Sequence, residues 1–270
     1  MSHFLQKLQE KYRRYQRSHG YTCDACKAEL FFYPTQRLCT ACEDMLCKNE
    51  NHVCDKCGRK TVTDGVCLNC KTKTPAFTVG VSPFVYRGKT AALVNRMKNG
   101  NRRLPMYFGE RMAETFFARF PDIKEQFPID RYELNVNQTL CILPVPITKE
   151  KLRERGYNQA EELAVNIEER LKELGIAAQT YTDVLQQIRD GAPQKKLDYK
   201  EREERAKSVY HLHKRAFCKE KTFLLVDDIL TTGATSSTCA SLLINAGASA
   251  VYFLAAAALP EHENAVKENL

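Results

Sequence analysis

The sequence lacks any apolar run long enough to cross a membrane. Its longest run, AVYFLAAAAL at 250–259, is too short to span a bilayer as a helix. The first twenty residues also lack the apolar segment and the small-residue cleavage site of a secretory signal peptide. We therefore expect a protein of the cytoplasm that does not insert into a membrane.

The reducing cytoplasm disfavours disulfides, so the twelve cysteines of the chain need another explanation. Eight of them form four Cys-x2-Cys pairs, which are Cys23 with Cys26, Cys39 with Cys42, Cys54 with Cys57, and Cys67 with Cys70. Two such pairs bring four thiolates to one tetrahedral ion and leave no open position for substrate. The pairs therefore predict two structural Zn²⁺ ions, bound either sequentially or in a cross-braced arrangement. In a simpler alternative only one site is filled and the other cysteines are buried.

Acidic residues are scarce in two stretches of a chain whose formal net charge is +8. Segment 1–20 has five basic residues and one glutamate, and segment 87–103 has six basic residues and no acid. Such segments can bind the phosphate backbone of single-stranded DNA. A solvated basic face without any ligand has the same pattern. The charge therefore permits a polyanionic partner without requiring one.

A change of composition near Pro75 divides the chain. We predict a basic N-terminal segment at 1–20, a double zinc ribbon domain at 21–76 and a larger domain at 77–270. In the larger domain, continuous apolar runs alternate with amphipathic segments, which indicates an α/β fold with a parallel sheet and helices on both faces. One helix is expected to begin after Asn158 as its N-cap and to stop at Gly175.

The stretch KTFLLVDDILTTGAT, which starts at Lys221, combines an apolar run with acids, hydroxyls and glycine. It predicts a buried strand that ends in Asp227 and Asp228, then a loop and a helix. Ligands bind at the carboxyl ends of parallel strands, and a helix N-terminus offers amide groups to an anion. The acids would accept hydrogen bonds from ribose hydroxyls or organise a Mg²⁺ shell. The groups predicted to bind phosphate are Thr231, Thr232, Gly233, Ala234 and Thr235.

Two motifs carry a family resemblance. LLVDDILTTGAT resembles the motif with which type I phosphoribosyltransferases bind phosphoribosyl pyrophosphate (PRPP). LPVPITKEKLRERGYNQAEELA, from Leu143 to Ala164, together with the four cysteine pairs, resembles the ComF family. The resemblance covers about 21–260. It implies a type I phosphoribosyltransferase-like sheet beside the zinc ribbon domain.

The resemblance also implies roles for individual residues. Asp227 and Asp228 would be the catalytic acids that hold the ribose of PRPP with Mg²⁺. Arg153, Arg155 and Asn158, in or next to the segment that faces pyrophosphate in such folds, would contact PRPP. Segment 186–206 has the position of the loop that closes over PRPP, and its Gln194, Lys195 and Arg202 would be contacts. Lys98 falls in a lysine-containing stretch of the family.

The biological setting that the resemblance implies is natural competence. Such a protein would be a cytosolic DNA-uptake factor with a PRPP site, acting on or near incoming single-stranded DNA with a ComFA-like helicase. The alternative is an active phosphoribosyltransferase with an unknown small-molecule acceptor. A purely structural zinc adaptor is a third interpretation, which requires that PRPP does not bind.

Overall fold

The computed structural model describes residues 22–32, 36–129, 139–188 and 209–261. The basic segment at 1–20 lies outside the described residues. So does most of the predicted PRPP loop at 186–206, including Gln194, Lys195 and Arg202.

A six-stranded parallel sheet forms the centre of the molecule. Its strands are β1 (Val79–Val81), β2 (Phe84–Val85), β3 (Leu140–Pro144), β4 (Ala178–Thr180), β7 (Thr222–Leu230) and β8 (Ala250–Ala258). The order is β1-β8-β7-β3-β4, and β2 pairs with β8 further along the same edge as β1. A separate antiparallel pair is formed by β5 (Leu185–Gln187) and β6 (Tyr210–Leu212).

Helices cover both faces of the sheet. Those of the described residues are α1 (Thr40–Asp44), α2 (Leu68–Thr72), α3 (Gly88–Lys98), α4 (Leu104–Arg119), α5 (Ile123–Gln126), α6 (Lys149–Arg155), α7 (Gln159–Glu173) and α8 (Ala234–Ile244). Alternate residues of β7 face opposite sides, since a strand has a side-chain period of two. Leu224 and Val226 join the core cluster that α4 and α7 contribute to, whereas Phe223 and Leu225 join the cluster of α8. The predicted α/β class is confirmed.

The predicted helix after Asn158 is also confirmed. Its N-cap is Asn158, whose Oδ1 accepts a hydrogen bond from the Ala160 amide at 3.0 Å. The helix α7 ends at Glu173, and Gly175 follows with φ of +85°. A positive φ costs glycine little, which explains why the helix stops there.

Strand β7 is longer than the sequence suggested. The prediction ended it at Asp228, but it continues to Leu230. The reason is β8, whose run of alanines provides pairing partners for Asp227, Ile229 and Leu230. The two acids therefore lie within the paired strand, shortly before the loop begins.

The cysteine-rich segment packs directly on the sheet. The Gly80 amide donates to the carbonyl oxygen of Lys56 at 2.8 Å. A Cβ atom on Gly58 would lie 2.4 Å from the Gly80 oxygen, and one on Gly80 would lie 2.6 Å from the Cys57 oxygen. Side chains at either position would force the two backbones apart. The domain boundaries themselves stay predictions.

In the described parts of the chain, no helix combines the length and the apolar character that a membrane crossing requires.

Candidate functional site

The eight paired cysteines gather into two groups of four. One contains Cys23, Cys26, Cys39 and Cys42, and the other contains Cys54, Cys57, Cys67 and Cys70. Within each group, all sulfur atoms lie within 4.8 Å of one another. The grouping is that of two sequential sites rather than a cross-braced pair. Neither group, among the described residues, includes Cys47.

The geometry of both groups fits zinc. A tetrahedron with Zn–S bonds of about 2.3 Å separates its sulfurs by about 3.8 Å. The Cys26 and Cys39 sulfurs are 3.6 Å apart, and those of Cys57 and Cys67 are 3.7 Å apart. Backbone amides also donate to the sulfurs, as the Cys67 amide does to Cys54 at 3.2 Å. Such donors stabilise the thiolate form that a metal needs. Two structural zinc ions are consistent with these groups.

The two groups differ in exposure. All four cysteines of the second group are buried, whereas Cys26 in the first group is exposed and Cys39 is partly exposed. The first group is tied to the rest of the protein through Asp24, which is fully buried and pairs with Arg103 at 2.6 Å. Burial raises the pKa of Asp24, while Arg103 and Arg37 oppose that rise.

The acids predicted to bind ribose lie near the carboxyl edge of the sheet. Asp228 is buried, and its carboxylate pairs with the ammonium group of Lys98 at 3.4 Å. Its amide donates to Oδ1 of Asp227 at 2.8 Å. Lys98 is the last residue of α3, so tertiary folding brings a cation to this acid. The sequence pointed to Lys98 only through the family resemblance and did not predict this contact.

The pKa of Asp227 is raised in the folded protein. Burial, followed by the nearby charge of Asp228, raises the pKa of Asp227 to about 8, although part of its side chain reaches solvent. Lys98 opposes this rise. At neutral pH the protonated form of Asp227 is therefore favoured. A cation or a sugar hydroxyl bound here would change that balance.

The loop after β7 has the form of an anion site. Gly233 has φ of +78°, which glycine adopts without strain, and α8 begins at the next residue. The Thr232 hydroxyl accepts a hydrogen bond from the Ala234 amide at 3.3 Å, and Thr231, Thr232 and Ala234 are exposed. The following amides at the helix N-terminus have no partner within the helix, so they can bind an anion. Thr235 lies in this first turn.

The segment after β3 runs beside the acids. The Val145 amide donates to the carbonyl oxygen of Val226, the residue before Asp227, at 2.8 Å. The Asn158 side chain donates to the Val145 oxygen at 3.1 Å while it also caps α7. Both ends of that side chain are therefore engaged within the protein, which assigns it a structural role. Direct contact of Asn158 with PRPP stays a prediction.

The predicted arginines lie on α6 after this segment. Arg153 is exposed, and Arg155 is half-buried with Nη1 at 3.4 Å from the Gln159 side-chain oxygen. The structure thus joins the acids, the threonine loop and Lys98 at one edge. It records no contact between the two arginines and the acids in the described residues.

Several basic side chains of the stretch at 87–103 contact other parts of the protein, so this stretch is not a simple exposed basic patch. Arg96 donates to the Ala25 oxygen at 2.5 Å, and Arg103 pairs with Asp24. Arg102 lies over the Tyr157 ring at 5.0 Å. These cations help to dock the first cysteine group and α6. Only part of their charge is therefore available to a ligand.

Arg59 is a residue of this region that sequence reasoning missed. It follows Cys57-Gly58 and is buried, with one nitrogen on a cysteine sulfur and another on the Thr231 carbonyl oxygen. An arginine directly after a Cys-Gly pair was the available signal. Its partner in the loop could not be foreseen from spacing.

Comparison with known proteins gives one informative similarity. The chain is similar to the competence protein ComFC of Bacillus subtilis (strain 168), with 23% identity over 231 residues that cover 83% of this chain and 85% of that protein. No protein-family model matches the chain.

Proposed function

We propose, from the similarity of the chain to the competence protein ComFC, that it is a cytoplasmic competence factor of the ComF family whose α/β domain binds PRPP with Mg²⁺. The observation that carries the proposal is the joining of an acid pair and a glycine-led helix N-terminus at one sheet edge. Asp227 and Asp228 would bind the ribose and its metal ion. The loop of Thr231, Thr232 and Gly233 would bind the 5-phosphate with the first turn of α8.

The charges of the site support this assignment. PRPP carries several negative charges, and the bare acid pair would repel it. Mg²⁺ bound with PRPP would neutralise part of that charge, and Lys98 lies 3.4 Å from Asp228. Arg153 and Arg155 on α6 would approach the pyrophosphate, because a guanidinium group presents two donors to phosphate oxygens. The pyrophosphate contact requires these side chains to turn toward the bound ligand.

The test is calorimetric titration of the zinc-loaded protein with PRPP and Mg²⁺, alongside the Asp227→Asn/Asp228→Asn double variant. We expect binding in the wild type and a loss of at least about tenfold in affinity in the variant. Asp122→Asn is the matched control, since Asp122 is an exposed acid away from the carboxyl edge of the sheet. It lies five residues before Phe127, whose carbonyl oxygen accepts a hydrogen bond from the Ala177 amide next to the first residue of β4. Absence of PRPP binding to the wild type would leave the zinc adaptor interpretation.

Single-stranded DNA is the proposed macromolecular ligand in DNA uptake, with a ComFA-like helicase as partner. Lys149 and Arg153 are exposed bases on α6, beside the PRPP edge, and they could contact phosphates. Fluorescence anisotropy with a labelled oligonucleotide should give an affinity that falls steeply with salt. Lys149→Ala/Arg153→Ala should weaken it and lower the salt slope, whereas Lys124→Ala near the opposite edge should not. A flat salt response would contradict DNA binding.

An active transferase is the second candidate. The observation that favours it is the acid pair itself, whose position suits a ribose that develops positive charge at C1 as pyrophosphate leaves. Turnover would consume PRPP in the presence of an acceptor, and Asp228→Asn would abolish it. Screening nucleobases, amines and DNA ends tests this candidate, and constant PRPP with every acceptor would argue against chemistry. DNA binding and PRPP binding would survive that result.

A further inference from the structure

Arg59 connects the second cysteine group to the predicted phosphate loop. It is only 1% exposed and is the largest of the fully buried side chains in the described residues. Its Nε donates to the Cys57 sulfur at 3.3 Å, and its Nη2 donates to the Thr231 carbonyl oxygen at 2.7 Å. One rigid guanidinium group therefore contacts both sites.

The buried position of the Arg59 guanidinium group requires a nearby negative charge. A buried cation is costly unless an opposite charge lies close to it. Within the described part of the chain, Arg59 forms no ion pair with a carboxylate, and its Nη1 has no hydrogen-bond partner. Four thiolates around one Zn²⁺ carry a net charge of about −2. With zinc bound, the second cysteine group would therefore supply the counter-charge that offsets the cost of burying Arg59.

The bond to Thr231 also orients the loop. A trans peptide unit is planar, with its C=O and its N–H pointing to opposite sides. Since the Thr231 carbonyl points to Arg59, the amide of the next residue, Thr232, points away from the cysteine-rich segment. Thr232 is exposed. The contact thus turns an amide donor outward at the start of the anion loop.

Neighbouring hydrogen bonds also join the cysteine-rich segment to the sheet domain. The Ala76 amide donates to the Ser237 hydroxyl at 3.0 Å, and the Leu68 amide donates to Glu261 at 2.5 Å. The Glu261 amide in turn donates to the Lys60 oxygen at 3.1 Å. The cysteine-rich segment is held against the end of β8 and the first turn of α8, so Arg59 lies on a fixed support.

We propose that Arg59 is a positioning residue for PRPP: it links the second zinc site to the phosphate loop and orients that loop for the 5-phosphate. The inference rests on the proposed function, because it assumes that the loop binds PRPP. The zinc ion would then have a role beyond folding the cysteine-rich segment, since the Cys57 thiolate that binds it also accepts a hydrogen bond from Arg59. Loss of this ion would weaken phosphate binding in the adjacent domain.

The experiment compares Arg59→Lys and Arg59→Gln with Arg119→Gln. Arg119 is the matched control, since it donates to the Asp55 oxygen of the same segment at 3.1 Å without contacting the loop. Three quantities are measured: zinc content, the carbonyl ¹³C resonance of Thr231 in the ligand-free protein, and the affinity for PRPP with Mg²⁺. We expect both Arg59 variants to keep two zinc ions, to shift the Thr231 resonance and to bind PRPP about tenfold more weakly. The Arg119 variant should match the wild type.

A spectroscopic readout on the unmutated protein covers the case in which Arg59 variants fail to fold. With Co²⁺ in place of zinc, PRPP should shift the thiolate-to-metal absorption bands, because Arg59 touches both the sulfur and the loop. Unchanged bands in a protein that binds PRPP would overturn the inference, as would Arg59 variants with an unchanged Thr231 resonance and full affinity. In a further outcome, the wild type fails to bind PRPP while the Thr231 resonance still shifts in the Arg59 variants. That result would overturn the proposed function but support the contact of Arg59 with the loop.

Discussion

Replacing Asp227 with asparagine should make the protein less sensitive to alkaline pH. Burial and the charge of Asp228 raise the pKa of Asp227 from its ordinary value of 3.8 to about 8. Between these two values the folded protein holds a proton that the unfolded chain has released. The free energy of unfolding therefore falls as pH rises through this window, and the cost is complete above the folded pKa. The asparagine side chain of the Asp227→Asn variant cannot ionise and avoids this cost.

The size of the effect follows from linkage. Between about pH 6 and pH 9, a carboxyl group with these two pKa values loses about 3 kcal/mol of stabilising free energy. Because Asp227 keeps part of its surface in solvent, we expect about 1–3 kcal/mol. The assay is urea unfolding of the Asp227→Asn variant and the wild type at several pH values in this range. The difference between the two proteins at each pH cancels the contribution of the zinc sites.

The expected difference increases with pH in favour of the variant. Asp122→Asn provides the control, since this exposed acid lies at the opposite edge of the sheet and should give a constant difference. A difference between Asp227→Asn and the wild type that stays level from about pH 6 to pH 9 would refute the argument. It would mean that Asp227 is already ionised at neutral pH, despite its burial next to Asp228.

Three further predictions concern the loop, the zinc sites and the ligand. Gly233→Ala should lower the free energy of unfolding by about 1–2 kcal/mol and weaken PRPP binding, because alanine is strained at φ of +78°. Thermal unfolding measures the first effect and calorimetry the second, and a variant unchanged in both would argue against the left-handed turn. A chelator should remove the ion of the Cys23 group before that of the buried Cys54 group, as two phases of zinc release; a single phase would contradict separate sites. PRPP binding with Mg²⁺ should release protons below about pH 8, since the bound cation favours the ionised form of Asp227. Calorimetry in buffers of different ionisation enthalpy measures this release. A binding enthalpy that is the same in every buffer would contradict it.

Several features of the fold followed from short-range patterns. The helix α7 begins after its N-cap Asn158 and stops before Gly175 as predicted, because a cap and a glycine act on the residues next to them. The cysteine pairs identified the candidate ligands, since a Cys-x2-Cys turn is itself a local structure. The spacing left the pairing of the turns open. Two sequential groups emerged only in three dimensions.

Other features depended on partners that lie far away in the chain. The length of β7 was underestimated, because the alanines of β8 that extend its pairing are brought there by the fold. The basic stretch at 87–103 looked like one patch, yet Arg103 pairs with Asp24 and Lys98 pairs with Asp228. Charge counts do not reveal such pairing, which requires knowledge of which elements are neighbours.

The sequence by itself determined the candidate metal ligands, the order of strand, acids, loop and helix, and the class of the fold, because each depends on residues within a few positions of one another. Tertiary structure alone decided which cation meets the acids and how the second cysteine group meets the loop after β7. Arg59 and Thr231 are 172 positions apart. Their contact exists because the parallel sheet presents the end of β7 to the cysteine-rich segment, whose Gly58 lies close to the backbone of Gly80 in β1.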